Sequence, residues 1–268
     1  MRIDDLFCET EQPLDRLVED GGFATIFRHI GCIGDSLSSG EFEGTDEAGG
    51  KTYHDMYEHS WGQYLARMCG SVVYNFSRGG MTAKEYVEQF AKEKGYLDPT
   101  LACEAYIVAL GVNDVSHVID GTLAFGDIGD VDPSSPENNK STFVGYYASI
   151  LQQYRHIRPD SFLFLMTMPR ESGCDTARRS LYDRHREMVF KLAAMLPRTY
   201  VIDLRTYAPP YDDEFKSKFY LGGHMNPMGY VLTAKMTASY IDYIVRHNMN
   251  DFKQVGFIGT PFKNTEGK

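Results

Sequence analysis

The sequence predicts a single α/β domain in which helices cover both faces of a parallel β-sheet. Apolar runs of strand length alternate along the chain with amphipathic segments of helix length, and no internal repeat interrupts the alternation. Five runs have strand length: 26–33, 72–76, 105–110, 162–166 and 200–204. A chain of 268 residues that is 43% hydrophobic can bury one large core, so a single domain is expected.

Helix signals lie between and after these runs. Trp61, Leu65 and Met68 recur at helical spacing. Thr82, with Glu85 three residues later, is a capping-box pattern and predicts a helix over 82–94. Further helices are predicted near 143–157, 176–196 and 227–247. The domain core would therefore span about 26–246, with an N-terminal arm and a C-terminal tail.

Right-handed crossovers leave few ways to arrange five parallel strands. A three-layer α/β/α sandwich with the flavodoxin-like strand order 2-1-3-4-5 is expected, with the functional site at the carboxyl ends of the strands. The segment 116–142 is rich in Gly, Pro and acidic residues, which predicts a long loop beside the end of the third strand. Such a loop would shape a substrate pocket, and a disordered surface excursion is the alternative.

Composition excludes several classes of function. Lys and Arg number 27 against 37 Asp and Glu, and a net charge of −10 does not suit nucleic acid or an anionic membrane surface. The spacing of His54 and His59, with Asp55 between them, matches no common zinc motif, so no metal site is expected. The cysteines are odd in number, form no CxxC pair and indicate reduced thiols: Cys8, Cys32, Cys69, Cys103 and Cys174.

The N-terminal segment bears on the cellular location. The first twenty residues carry acidic side chains throughout and lack an apolar core, and no later stretch approaches 18 apolar residues. A cytoplasmic location without a membrane span is the simpler expectation. A mature secreted form whose leader has been removed is the alternative.

Four short segments carry residues suited to acyl transfer. They are Gly34-Asp35-Ser36-Leu37, Asn75 to Gly80, Gly111-Val112-Asn113-Asp114 and His224-Met225-Asn226-Pro227. They supply a hydroxyl after a strand, a glycine N–H, an amide side chain and an imidazole. Each segment alone also suits a helix cap or a turn. In this order, however, they resemble the four blocks of the SGNH (GDSL) hydrolase family, over roughly residues 26–246.

The resemblance implies the SGNH hydrolase fold and a serine esterase that needs no cofactor. Ser36 would be the nucleophile and His224 the general base, while Gly80, Asn113 and the Ser36 backbone N–H would bind the oxyanion. The partner would be a small-molecule ester or an acylated sugar, and carbohydrate deacetylation is the first expectation. A lysophospholipase or thioesterase, an acyltransferase and a noncatalytic carbohydrate-binding relative are the alternatives. The oligomeric state is not determined by the sequence.

The sequence departs from the family at one position. The family's acid lies three residues before the histidine, where this chain has Leu221, which cannot orient an imidazole through its side chain. A backbone carbonyl near Leu221 could accept a hydrogen bond from the ring instead. Carboxylates elsewhere along the chain are the other candidates: Asp212, Asp213 and Glu214 on the loop 209–218, and Asp203 at the end of the fifth strand.

Overall fold

The computed structural model describes Phe7 and residues 10–253, and its centre is a five-stranded parallel sheet. The strands of this sheet are β1 (His29–Gly34), β4 (Val72–Ser77), β5 (Ala105–Ala109), β6 (Phe162–Met166) and β7 (Thr199–Ile202). Two antiparallel pairs lie outside it: β2 (Glu41–Thr45) with β3 (Lys51–Asp55), and β8 (Tyr220–Leu221) with β9 (His224–Met225).

The order of strands in the parallel sheet is β4-β1-β5-β6-β7. Counted along the chain, this is 2-1-3-4-5, and the predicted order is confirmed. Strand β1 lies between β4 and β5, and its last residue, Gly34, is in register with Ser77 of β4 and Ala109 of β5. The three strands therefore end at the same edge of the sheet.

Helices cover both faces of the sheet, so the predicted three-layer architecture is also confirmed. The helices are α1 (Ser36–Ser39), α2 (Trp61–Cys69), α3 (Ala83–Glu85), α4 (Ala91–Glu93), α5 (Val112–Ile119), α6 (Phe143–Ile157), α7 (Thr176–Met195), α8 (Leu204–Tyr207), α9 (Asp213–Phe219), α10 (Pro227–His247) and α11 (Met249–Phe252). Side chains of β1 point alternately to the two faces: Ile30 packs in the core beneath α2 and α10, and Ile33 in the core beneath α6 and α7. Among the described residues, no helix combines the length and apolar character needed to cross a bilayer.

Element boundaries differ most from the predictions at two places. The first strand begins at His29 because residues Gly22–Ile26 form a 3₁₀ turn. The helix expected over 82–94 begins at the predicted cap, where Thr82 Oγ1 accepts a hydrogen bond from Glu85 N at 3.1 Å. A π-helical turn at Tyr86–Phe90 then separates α3 from α4.

The segment expected to be a long loop begins as helix. Helix α5 extends to Ile119, and 3₁₀ turns follow at Ile128–Asp130 and Pro136–Asn138. Leu123 and Phe125 of this segment are buried in the same core cluster as α6. The loop is therefore packed onto the domain by its own apolar side chains.

The cysteines of the described residues form no disulfide. Cys32, Cys69 and Cys103 are buried and Cys174 is half-buried, all with free thiols. Burial raises the pKa of Cys69 to about 12, which keeps this thiol protonated and unreactive. Cys8 lies outside the described residues.

Gly111, which precedes α5, provides a test of the fold. Its φ is 140°, and a Cβ there would lie 2.9 Å from the ring of His185, which hydrogen-bonds to Leu110 O at 3.0 Å. We expect Gly111→Ala to lower the free energy of unfolding by at least about 2 kcal/mol, because it adds a steric clash to backbone strain. Gly121→Ala is the matched control, since Gly121 also has positive φ (79°) but open space around it. Urea denaturation of both variants measures the difference, and equal losses would contradict this account.

Candidate active site

A cavity of about 310 Å³ opens at the carboxyl edge of the sheet. Three of the predicted site residues line it: Ser36, Asn113 and His224. Its wall also includes the aromatic side chains of Trp61 and Tyr220. The structure thus brings together a hydroxyl, an amide and an imidazole that are far apart in the sequence.

Ser36 is the first residue of α1, directly after β1. Asp35 caps this helix, and its Oδ1 accepts a hydrogen bond from Leu37 N at 3.1 Å. The turn from strand to helix is so tight that a Cβ at Gly34 would lie 2.1 Å from Ser38 Oγ, which explains the glycine. As the first helical residue, Ser36 also carries a backbone N–H of the kind that a helix leaves without an intrahelical acceptor.

Asn113 and Asp114 join the start of α5 to the segment that follows β4. Asn113 Nδ2 donates to Met81 O at 3.1 Å, and Ala83 N donates to Asp114 Oδ1 at 2.9 Å. These bonds fix the Asn113 amide at the cavity wall. Because Nδ2 carries two N–H groups, one remains for a ligand in the cavity.

Gly80 lies beside this arrangement but does not line the cavity. Its φ is 71°, and it borders a separate surface depression together with Thr82. It is the residue before Met81, whose carbonyl binds Asn113. The role of the Gly80 N–H in binding an oxyanion stays a prediction.

His224 is placed by the short ladder between β8 and β9, in which it lies opposite Leu221. Asn226 follows as the cap of α10, and its Oδ1 accepts a hydrogen bond from Gly229 N at 3.0 Å. Pro227 occupies the first turn of α10, as the sequence predicts. The histidine is therefore held between a strand pair and a helix start.

Two carboxylates face the ring of His224. Nε2 is 3.0 Å from Glu41 Oε1, and Nδ1 is 3.7 Å from Glu43 Oε2. The ring of Tyr53 meets the imidazole edge-on, with centroids 5.7 Å apart. All three neighbours belong to the hairpin of β2 and β3.

This arrangement differs from the expected backbone carbonyl near Leu221. Nδ1 of His224 is buried, and within residues 10–253 it has no hydrogen-bond partner, carbonyl or otherwise. The side chain of Leu221 is 54% exposed. The carboxylate of Glu43, with Oε2 3.7 Å from Nδ1, is the charged group that the described structure places beside this nitrogen.

The acids suggested by the sequence have other partners. Asp212 caps α9, where its Oδ1 accepts from Phe215 N at 2.9 Å, and Asp213 is exposed in the first turn of that helix. Glu214 pairs with Lys218 at 2.6 Å. Buried Asp203 accepts from Thr167 Oγ1 and pairs with Arg186 at 2.7 Å. The structure therefore places Glu41 and Glu43, rather than these four acids, at the imidazole.

A local signal for the hairpin was present in the sequence. Residues 41–45 (EFEGT) and 51–55 (KTYHD) alternate in character at strand period and flank a turn that contains Gly49 and Gly50. That pattern predicts a hairpin directly after the nucleophile block. It does not indicate which side chain reaches His224.

Carboxyl groups near the site differ in their ionisation. Burial raises the pKa values of Asp35 and Asp114 to about 7. Burial also raises the pKa of Glu41, with a further increase from Asp55, although His224 opposes the shift. In contrast, hydrogen bonds from Lys51 and the Gly223 N–H lower the pKa of Glu43. Glu43 therefore keeps its negative charge at neutral pH.

Solved structures of several esterases share this fold. A family two carbohydrate esterase from Clostridium thermocellum, in complex with cellohexaose, has a TM-score of 0.57 and 15% identity over 84% of this chain and 65% of its own. A family 2 carbohydrate esterase with a carbohydrate-binding domain from Corynascus thermopiles (Myceliophthora fergusii) has a TM-score of 0.56 and 16% identity, over 81% and 66%. The acetyl xylan esterase AlAXEase has a TM-score of 0.51 and 16% identity, over 80% and 99%. The chain thus spans about two thirds of the length of the first two, and at these identities the likeness is one of fold.

Family membership follows from the sequence match. The GDSL-like Lipase/Acylhydrolase family matches residues 32–232, more than half of the chain. The chain belongs to this family of hydrolases, and the resemblance inferred from the four segments is confirmed. A search of curated protein sequences gave no match.

The buried carboxyl of Asp114 gives a prediction about stability and pH. Its pKa of about 7 in the folded state exceeds that of an unfolded aspartate, about 4, so the folded state retains a proton that the unfolded state has lost. Stability should therefore fall as pH rises from about 4 to 7, by up to about 4 kcal/mol for such a group. We expect Asp114→Asn to flatten this fall, and exposed Asp213→Asn to leave it unchanged. Urea denaturation between pH 4 and 8 measures both slopes, and a wild-type slope in Asp114→Asn would refute the prediction.

Proposed function

We propose that this protein is a serine esterase that works through an acyl-enzyme. Ser36 Oγ attacks the acyl carbon while His224 takes the serine proton, and His224 then returns that proton to the leaving alkoxide. Water attacks the acyl-enzyme by the same route and regenerates Ser36. The observation that carries the proposal is the shared cavity of Ser36, Asn113 and His224 at the carboxyl edge of the sheet.

The proposed oxyanion site combines backbone and side-chain donors. We assign the Ser36 N–H and the second N–H of Asn113 Nδ2, which line the cavity, as donors, and the family resemblance adds the N–H of Gly80, which lies beside it. Asn113 is held ready by its bond to Met81 O, so little reorganisation is needed as charge develops on the carbonyl oxygen. Such preorganised donors stabilise the oxyanion most strongly in a site that excludes water.

For the substrate, we propose an O-acylated carbohydrate, with acetyl as the acyl group. The support comes from the names of the structural neighbours, which include carbohydrate esterases and an acetyl xylan esterase, and from the aromatic wall of the cavity. Trp61, Tyr182 and Tyr220 are among its lining residues, and such rings pack well on the apolar faces of sugars. A screen of acetyl, butyryl and long-chain esters tests the choice, because a lysophospholipase or thioesterase would prefer long acyl groups.

A noncatalytic carbohydrate-binding role is the second candidate. It is favoured by one observation, that both nitrogens of His224 face carboxylates, because a nitrogen paired with a carboxylate is not free to take a proton from Ser36. A binding protein has no need of a reactive serine, so covalent labelling separates the two candidates.

Ser36 gives the first test of the mechanism. A fluorophosphonate should modify Ser36 covalently, and Ser36→Ala should abolish both labelling and ester hydrolysis, because Ser36 Oγ is the only nucleophile of the proposed mechanism. Ser38 lines the same cavity, and Ser38→Ala is the control that should still be labelled. Peptide mass spectrometry locates the adduct. Labelling of another serine, with activity surviving in Ser36→Ala, would contradict the mechanism.

Asn113 gives the second test. Asn113→Ala should lower kcat by roughly 10²–10³ with a smaller change in KM, which is the cost of losing one preorganised oxyanion donor. Steady-state kinetics on the best ester from the screen measure the effect, and thermal denaturation shows whether the variant is folded. An unchanged kcat would remove Asn113 from the oxyanion site.

A further inference from the structure

The general base of the proposed mechanism needs a partner for its second nitrogen. An imidazole accepts a proton at one nitrogen only when the other carries the hydrogen, and a fixed neighbour usually selects that tautomer. In this chain the position three residues before His224 is Leu221, and its side chain is largely exposed. The partner must come from another part of the fold.

Glu43 meets the requirements for that partner. Its Oε2 lies 3.7 Å from His224 Nδ1 and accepts a hydrogen bond from the N–H of Gly223, the preceding residue, at 2.9 Å. Its Oε1 pairs with Lys51 at 2.7 Å. The carboxylate is thus tied both to the backbone beside the histidine and to its own hairpin, so its charge is fixed near Nδ1.

We propose that Glu43, on the hairpin of β2 and β3, is the positioning residue that orients His224 and supports its protonated form. The inference rests on the proposed esterase mechanism and adds to it the source of the acid. Glu43 would replace the carboxylate that family members carry three residues before the histidine. Ordering of the hairpin would then be a condition for full activity.

Glu41 also contacts the ring, but at the other nitrogen. Nδ1 is buried and faces Glu43 Oε2 at 3.7 Å, a gap that must shorten before a hydrogen bond forms, so we assign Nε2 as the nitrogen that exchanges a proton with Ser36. The carboxylate of Glu41, 3.0 Å from Nε2, competes with Ser36 for that position. Glu41 therefore holds the ring in the absence of ligand and is not the positioning group.

Other charged groups near the ring act through these two carboxylates. Lys51 neutralises part of the charge of Glu43, and Asp55, opposite Glu41 in the hairpin, adds negative charge beside Glu41. Tyr53 presents its ring edge to the imidazole. A substitution at Glu43 or Lys51 should therefore change the electrostatic potential at Nδ1 of His224, with little effect on the rest of the site.

The test is the rate at which a fluorophosphonate labels Ser36 between pH 5 and 9 in the full chain. This readout depends on activation of Ser36 by His224 and needs no knowledge of the natural substrate. Glu43→Gln should lower the plateau rate by at least about tenfold, toward the 10⁴-fold loss known for amidation of a triad aspartate, because an amide can stabilise the wrong tautomer. The acid limb of the profile, where the labelling rate falls as His224 becomes protonated, should also move to lower pH. The reason is that the imidazolium loses a neighbouring negative charge.

Two further variants make the test specific. Lys51→Met removes the cation beside Glu43 at an exposed position and should move the acid limb in the opposite direction, to higher pH, at low ionic strength. Glu47→Gln removes one negative charge from the exposed turn of the same hairpin and should keep the wild-type profile. A loss of folded protein would reduce the labelled fraction without moving the pH limb.

The outcomes separate this inference from the proposed function. If wild-type Ser36 is not labelled, the esterase mechanism fails and the role of Glu43 fails with it. If wild-type Ser36 is labelled but Glu43→Gln reacts at the same rate with the same acid limb, only the inference is overturned. A larger plateau loss in Glu41→Gln than in Glu43→Gln would also overturn it, because the acid would then be Glu41. If Glu43→Gln does not fold, an unshifted limb in Lys51→Met overturns the proposal.

Discussion

The central position of β1 in the sheet determines where the site can form. Parallel pairing with β4 on one side and β5 on the other brings the ends of three strands to one edge, with Gly34 opposite Ser77 and Ala109. The chain segments that leave these strands carry Ser36, Gly80 and Asn113 within a few residues of the last pairing, which limits how far apart they can lie. Hydrogen bonds from Asn113 to Met81 and from Ala83 to Asp114 then hold two of these segments together. Strand register therefore brings Ser36, Gly80 and Asn113 to one edge of the sheet.

Most of the fold could be predicted because burial leaves a clear periodic pattern. Strand β6 is buried along its whole length and α6 buries most of its residues, and both lie where the sequence predicts them. The first strand begins three residues later than the sequence predicts, because an apolar run does not distinguish a strand from a 3₁₀ turn that packs on the same core. The predicted strand order followed from the handedness of crossovers, which holds whatever the side chains are.

The surroundings of His224 could not be predicted, because they depend on contacts between distant segments. The bond between Glu43 and Gly223 N–H joins residues 180 positions apart. No periodicity or spacing encodes such a contact, although a hairpin signal was present around it. The acids near 212 have local roles that the sequence pattern does not reveal. An aspartate just before a helix readily accepts a hydrogen bond from a free backbone N–H of the first turn. Asp212 caps α9 in this way and does not reach the ring of His224.

The carboxyl groups around the cavity differ in their pKa values, and this difference favours Glu43 over the others as the charged neighbour of His224. Asp35, Asp114 and Glu41 have raised pKa values because burial opposes their charged forms, whereas Glu43 has a lowered pKa because Lys51 and a backbone N–H stabilise its charge. A group that supports an imidazolium must be charged when the proton arrives, and Glu43 fits this requirement best. The same charge bears on the substrate. A carboxylate fixed beside the proposed base, in a protein with a net charge of −10, would repel anionic esters, which agrees with the proposal of an uncharged substrate such as an acetylated sugar.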